Sequence, residues 1–377
     1  MFRILMATEH YYPYPGGITE HVYHLSKELN KLGNEVHILT TNYSKNYIGE
    51  PPFPKVIRVG RAFRFPINKS FTTFTFSPLV AKQIRDIVRK GKYDIVHAQG
   101  SIVPTIPYLA IMYSKSINFS TFHASHGASK GYEIFKPVLR PAFNKLHGRI
   151  AVSKSALETI RRHFEADYKI IPNGVDIERF SPEGKLSGKI KRDDSIKLLF
   201  VGRLEPRKGL KYLISAMNIL VEKYNVTLYV AGDGPLKPVY RQYIGDKTRN
   251  RIIFLGYVHK DELPSLYRGC DIFISPAIGG ESFGIVLLEA MATQKPVVAT
   301  RISGYMEVIE EEKDGLLAEP KDPASLARKI SILIENEEYR NMLATRGREK
   351  VLRKYTWEKV AKQVLEYYKE IYARYTQ

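Results

Sequence analysis

One cysteine in 377 residues, Cys270, has no intrachain partner for a disulfide and cannot build a thiolate metal cluster. Such a chain suits a reducing cytoplasm. Long apolar runs are missing too. The nearest to a membrane span, Ile102 to Tyr113, falls short of the roughly 20 residues required and carries Pro104 and Pro107. The first seven residues, MFRILMA, are too few for the apolar region of a secretion signal and read as a buried strand. No solenoid-length repeat or low-complexity tract occurs, which excludes stacked-repeat architectures. No Asp-x-Asp pair or histidine cluster falls at the end of an expected strand, so no metal site is expected.

Acidic side chains are in deficit: 39 Asp and Glu face 58 Lys and Arg, a formal charge of +19. Residues 1–170 hold 24 basic and 11 acidic side chains, and residues 171–377 hold 34 and 28. A field of this sign favours nucleic acid, an acidic membrane or phosphorylated small molecules. A nucleic-acid partner is not expected, because no binding module is present and the aromatic residues show no base-stacking pattern. Solvated lysine alone also accounts for such an excess.

What is present is a globular composition, 44% hydrophobic and 26% charged, and enough chain for two domains. Short apolar runs alternate with helical periodicity, twice over. The first half predicts strands at Phe2–Ala7, Val36–Thr40, Val56–Val59, Asp94–Ala98, Ile117–Phe122, Arg149–Val152 and Tyr168–Ile171. Helices are predicted there over Thr19–Leu32, Pro78–Arg89, Ile134–Leu146 and Lys154–Phe164. The second half predicts strands at Ile196–Val201, Val226–Ala231, Ile252–Phe254, Asp271–Ser275 and Pro296–Ala299. Its helices are Leu210–Lys223, Phe283–Thr293, Pro323–Glu335 and Glu338–Lys354. Apolar strands alternating with amphipathic helices imply buried parallel sheets, hence two doubly wound α/β domains. The join falls near Pro172–Asp194, where Asn173-Gly174 signals a turn and a polar stretch follows.

Parallel sheets bind ligands beyond the carboxyl ends of their strands. Four clusters fall there. Gly16 and Gly17 precede the first helix, where bare backbone and a helix N-terminus suit an anion or a plain turn. Arg203 and Lys208, in Gly202–Gly209 after the strand ending at Val201, can hold a diphosphate and take up its growing charge. Glu281 and Glu289 flank a helix start. Helical rise would separate them by roughly 12 Å. Paired glycosidase carboxylates stand only about 5–9.5 Å apart, so these two suit different parts of one long ligand. His123 follows the strand ending at Phe122 and can bond a sugar hydroxyl or serve structurally, with His126 as a competitor.

Together these segments resemble glycosyltransferase family 4, retaining enzymes with two facing Rossmann-like domains and a cleft between them, the GT-B fold. The resemblance spans nearly the whole chain. It includes Gly16-Gly17, Thr121-Phe-His123, Pro172-Asn-Gly-Val-Asp176, Gly202–Gly209, Ala231-Gly-Asp-Gly-Pro235, Gly279–Glu289 and Tyr355-Thr-Trp357. The Gly-Glu-Ser-Phe-Gly-Ile-Val run looks most like that of the phosphatidylinositol mannosyltransferases.

The resemblance implies a hexosyltransferase acting on a nucleotide-diphosphate sugar, GDP- or UDP-linked, of mannose or glucose type. Arg203 and Lys208 would bind the diphosphate, Glu281 and the Phe283-Gly284-Ile285 backbone the sugar, and Glu289 the ribose. His123 would contact the transferred sugar, Gly16 and Gly17 the phosphate, and Val258 would lie in the donor site. Residues 1–172 would form the acceptor-side domain, joined by a returning helix at 357–377, and 173–356 the nucleotide-sugar domain. Retention would need neither a protein nucleophile nor a metal, because the departing diphosphate takes the acceptor's proton on the same face. Two departures stand out. Lys260 occupies the place of a guanine-reading carboxylate and cannot accept a hydrogen bond, leaving Glu262 or backbone to substitute. Gly148-Arg149 replaces a commonly acidic position and reads as surface variation. A soluble acceptor, or nucleotide-sugar epimerisation on the same fold, are the alternatives.

Between Lys55 and Lys92 stand ten basic residues against the single acid Asp86, with Phe63, Phe65, Phe71, Phe74 and Phe76 among them. A helix over 78–89 aligns Lys82, Arg85 and Arg89, while Leu79, Val80, Ile84, Ile87 and Val88 supply apolar area. This pattern suits peripheral docking on the anionic inner face of the cell membrane, and therefore a lipid or lipid-linked acceptor. The same helix could equally present its apolar face to the core.

Overall fold

Ile4 to Ala7 are apolar without interruption because both faces of their strand are covered, and all four are fully buried. The computed structural model describes residues 1–13, 16–42, 54–61, 63–67, 70–74, 77–100, 105–124 and 130–376, with 63–67, 70–74 and 130–133 described by backbone alone. The chain divides into two units, Met1–Gly174 with Trp357–Gln377, and Val175–Thr356.

The first unit opens with β1 (Arg3–Thr8), α1 (Gly17–Lys31), β2 (Glu35–Thr41), β3 (Lys55–Val59), β4 (Phe63–Ile67), β5 (Ser70–Phe74) and α2 (Pro78–Lys90). It continues through β6 (Ile95–Gln99), α3 (Ile106–Tyr113), β7 (Ile117–Phe122), α4 (Lys130–Asn144), β8 (Gly148–Ala151), α5 (Lys154–Arg161) and β9 (Lys169–Ile170). Seven strands form one parallel sheet in the order β3-β2-β1-β6-β7-β8-β9. Alternation sends Leu5 and Ala7 to a face covered by α2, α3 and α4, through Val80, Ile84, Ala110, Leu139 and Phe143. Ile4 and Met6 face Val22, Leu25 and Leu29 of α1 and Val360, Val364 and Tyr368 of the C-terminal helix.

The second unit begins with β10 (Ile196–Val201), α6 (Leu210–Leu220), β11 (Val226–Ala231), α7 (Lys237–Arg241), β12 (Ile252–Gly256) and α8 (Leu263–Gly269). Then follow β13 (Ile272–Ser275), α9 (Ile285–Ala292), β14 (Val297–Thr300), α10 (Ser303–Met306), β15 (Leu316–Ala318), α11 (Pro323–Glu335) and α12 (Glu337–Lys354). The chain closes with α13 (Trp357–Thr376), which belongs to the first unit. The parallel sheet runs β12-β11-β10-β13-β14-β15. Leu198 and Phe200 face α6 and α11, while Leu199 and Phe273 face α8 and α9.

Strand order reverses once in each sheet, between β1 and β6 and between β10 and β13. Loops leaving neighbouring strands diverge at such a point and leave a crevice.

Two expectations need correction, and a third falls on side chains outside the described residues. The basic and aromatic stretch contains an antiparallel hairpin, β4 paired with β5, and the side chains of Phe63, Phe65, Phe71 and Phe74 lie outside the described residues, as do Phe76 and Lys69. On α2 the apolar stripe is core: Val80, Ile84 and Val88 are buried and Ile87 packs on them, leaving Leu79 exposed. Gly148 is no surface substitution, since a Cβ there would stand 2.1 Å from the Phe119 ring. Arg149 lies over Phe143, 4.7 Å from its centroid, and donates to Leu146 O at 2.8 Å. Among the described residues no helix is long and apolar enough to cross a membrane.

Candidate active site

Beyond the carboxyl end of β10 the chain turns through Gly202–Glu205 into a single 3-10 turn at Pro206–Lys208. Gly209 then adopts φ 71°, and a Cβ there would meet Pro276 O at 1.9 Å, so only glycine lets the loop after β13 come this close. The two loops are tied together: Ile278 N–H donates to Arg207 O at 2.9 Å, and Arg207 Nη1 to Gly280 O at 3.1 Å.

A chain of opposite charges runs along this seam. Arg203 meets Glu205 at 3.1 Å, Glu205 meets Arg207 at 3.0 Å, and Arg207 also pairs with Glu281. Lys208 Nζ stands 2.8 Å from Glu281 Oε1. Burial would push the Glu281 carboxyl up, but Lys208 and Arg207 outweigh it and hold it below its ordinary range. Glu281 is therefore an anion, able only to accept hydrogen bonds. Arg203 is half-exposed and Lys208 largely covered.

The helix after Glu281 begins at Ile285, two residues later than the periodicity predicts, because Gly280 and Gly284 hold φ 71° and 88°. The 12 Å separation therefore does not apply, since residues 281–284 do not climb at the helical rise. Glu289, on α9, accepts from Tyr267 Oη of α8 at 2.8 Å, which answers the cost of a carboxylate in an apolar helix. Phe283 is buried against Tyr355, ring centroids 5.8 Å apart, so Phe283 offers a ligand its backbone alone. Val258, past β12, likewise lies in the core. Arg179 donates to Lys260 O at 2.6 Å, Asp261 pairs with His259 at 3.2 Å, and Glu262 with Lys189 at 2.6 Å.

In the first unit Gly16 and Gly17 are exposed at the start of α1, with Glu20 N–H donating to Gly16 O at 3.1 Å. Gly16 is extended, at φ 163°, and a Cβ would touch nothing within 4 Å. Neither conformation nor packing among the described residues demands glycine there. Tyr14, Pro15 and His126 lie outside the described residues.

His123, just past β7, joins a network that sequence does not reveal. His123 Nε2 lies 2.9 Å from Gln99 Oε1, and its ring meets His21 edge-on at 4.7 Å. His97 lies 2.7 Å from Thr121 Oγ1 and 2.5 Å from Tyr368 Oη of α13. His21 Nδ1 meets Asn173 Oδ1 at 2.8 Å. Burial lowers His21 to about 4 and His97 to about 3, and pushes His123 well below its ordinary value, so all three are neutral. Trp357 opens α13 against a Cβ-less Gly174 and stacks on His24, 7° from parallel. Local patterning missed His21, His97, Gln99, Tyr267 and Tyr368, whose partners are distant in sequence. Arg207 stood inside the basic motif, but only the fold shows that it holds Glu281.

Two parallel-sheet domains, each with one reversal of strand order, make this a GT-B glycosyltransferase fold. It is shared with a glycosyltransferase from Rickettsia africae, at a TM-score of 0.77 and 22% identity over 98% of both chains. An Anabaena protein solved in complex with UDP matches at 0.75 and 21%, over 98% of this chain and 100% of that one.

Residues 15–179 match the family model described as Glycosyltransferase Family 4, and residues 185–350 that described as Glycosyl transferases group 1. A phosphatidyl-myo-inositol mannosyltransferase of Mycobacterium leprae is 33% identical over 371 residues, covering 98% of this chain and 97% of the relative. The chain belongs to glycosyltransferase family 4 and is a retaining hexosyltransferase. Enzymes of this kind use nucleotide-sugar donors.

Proposed function

We propose that this enzyme moves a hexose, of mannose or glucose type, from a GDP- or UDP-linked donor to a lipid or lipid-linked glycan at the cytoplasmic membrane surface. The observation that carries the donor reading is the 2.8 Å pair of Lys208 and Glu281 at the strand reversal, with Arg203 and Arg207 along the same seam. Cations beside an obligatory acceptor suit a sugar diphosphate, whose phosphates take donors and whose hydroxyls need an acceptor. As the glycosidic bond breaks, negative charge grows on the diphosphate. Arg203, Lys208 and the first N–H groups of α9 take it up with no metal ion, and the diphosphate removes the acceptor's proton on the same face. Glu281 and the Phe283–Ile285 backbone hold the sugar, and Glu289 holds the ribose. Gly16 and Gly17 approach the phosphate. His123 contacts the sugar.

The choice of base rests on the segment after β12. Lys260 cannot accept from guanine, and Glu262 is engaged with Lys189, so a uracil donor fits better than guanine. The likeness to the mycobacterial phosphatidyl-myo-inositol mannosyltransferase favours mannose and an inositol lipid instead. For the acceptor, the first unit exposes Leu79, Ile134, Phe135 and Val138 on α2 and α4, with Lys82, Arg89, Lys90 and Arg140 also exposed on those helices. Apolar side chains among cations suit an anionic bilayer.

A thermal-shift panel of UDP-glucose, GDP-mannose and their relatives tests the donor. A donor at about 100 times its dissociation constant stabilises by roughly 2.7 kcal/mol. Labelled sugar recovered in extracted lipid with retained anomeric configuration supports the reading. A free epimerised nucleotide sugar, or label in soluble glycan only, overturns it.

A further inference from the structure

His123 is set by a neighbour outside the motifs. The Gln99 side chain lies between two imidazoles, with Oε1 2.9 Å from His123 Nε2 and Nε2 3.3 Å from His97 Nε2. Two proton arrangements satisfy these contacts, and Met6 selects one. Its Sδ stands 3.7 Å from Gln99 Nε2. Sulfur accepts weakly and never donates, so the amide NH2 belongs on that side and the carbonyl faces His123. A carbonyl can only accept, and His123 Nε2 must carry the proton. His97 Nε2 then accepts, from Thr121 Oγ1 at 2.7 Å and from Gln99, and His97 Nδ1 donates to Tyr368 Oη.

We propose that Gln99 is a positioning residue that fixes His123 as the Nε2–H tautomer, leaving Nδ1 as an acceptor for a hydroxyl of the transferred sugar. This rests on the reading that His123 meets that sugar. The anchor is buried: Gln99 and His97 are 1% and 0% exposed, and Tyr368 belongs to a helix 271 residues further along the chain. Among the described residues the titratable groups facing His123 are His21 on α1 and His97 on β6, both neutral. His123 Nδ1 makes no hydrogen bond among the described residues. A neutral ring with a bare Nδ1 accepts from a hydroxyl, whereas the other tautomer or an imidazolium cannot do so at that atom.

Nitrogen-detected imidazole NMR on the full chain, assigned with His123→Asn, reads the tautomer with no donor present. The expected wild-type signature is a protonated Nε2 and bare Nδ1 at neutral pH, giving way in Gln99→Leu to a mixture. Gln99→Glu adds a kinetic readout. A carboxylate beside Nε2–H raises the His123 pKa, so kcat/KM for nucleotide release from UDP-glucose or GDP-mannose gains an acid limb, falling about tenfold per pH unit below it. A purely structural glutamine would change stability and leave that profile alone. A wild-type Nδ1–H signature, or a Gln99→Glu profile matching wild type, overturns the proposal. Full turnover in His123→Ala with the expected NMR signature overturns the sugar contact and upholds the tautomer assignment, so the two failures are distinguishable.

Discussion

Tyr267 Oη donates to Glu289 Oε2 at 2.8 Å, tying α8 to α9. Burial, reinforced by Glu289 itself, pushes the Tyr267 hydroxyl well above its ordinary value, so it remains a donor throughout the physiological range. Removing it in Tyr267→Phe takes a charge-assisted bond from a carboxylate in an apolar helix, at a cost of about 1–3 kcal/mol. If Glu289 holds the ribose, the donor KM rises while kcat changes little, because a contact to the ribose is the same before and during reaction. Urea unfolding and donor titration read the two effects. An unchanged KM removes Glu289 from the donor site.

Lys208→Ala and Glu281→Ala should each lower turnover by roughly 100- to 1,000-fold while the protein stays folded. Nucleotide release at saturating donor, beside circular dichroism, makes the measurement. Near-normal turnover in either variant excludes that residue from the mechanism.

His21 and His97 make stability depend on pH. Their folded values, about 4 and about 3, lie below the unfolded value near 6.5. The neutral folded forms are fully favourable above pH 6.5. Below it the unfolded chain binds protons that the folded chain refuses. Stability should therefore fall as pH drops from about 6.5 toward 4, by about 1.4 kcal/mol per pH unit for each histidine. His97→Gln should flatten the slope by about one proton in urea titrations between pH 6 and 4.5. A slope unchanged by His97→Gln would show that the folded protein protonates His97 readily.

Sedimentation with vesicles tests the bilayer. Binding should favour anionic over neutral vesicles and weaken at high salt, as attraction of about 1 kcal/mol per basic side chain near the surface is screened. Ile134→Ser with Phe135→Ser, and separately Lys82, Arg85 and Arg89 changed to serine, should each reduce it. Equal binding to both vesicle types would leave a soluble acceptor as the better reading.

Sequence by itself determined the architecture. Uninterrupted apolar runs such as Ile4–Ala7 can be buried only in a sheet covered on both faces, and such a sheet is parallel with helices on either side. Spacing also marked out the segment of Arg203 and Lys208 after β10 and that of Glu281 and Glu289 running into α9, because each is a short stretch of chain. Only tertiary structure decided what surrounds them. Periodicity marks the apolar side of α2 and cannot say whether core or lipid covers it; here Val80, Ile84 and Val88 are core, while Ile134, Phe135 and Val138 of α4 stand exposed. Nor could it pair Glu281 with Arg207, 74 residues away, or His97 with Tyr368, 271 residues away. Local pattern records which face of an element is apolar; the partner of a buried polar group is chosen by whichever distant element packs there, and that choice exists only once the chain has folded.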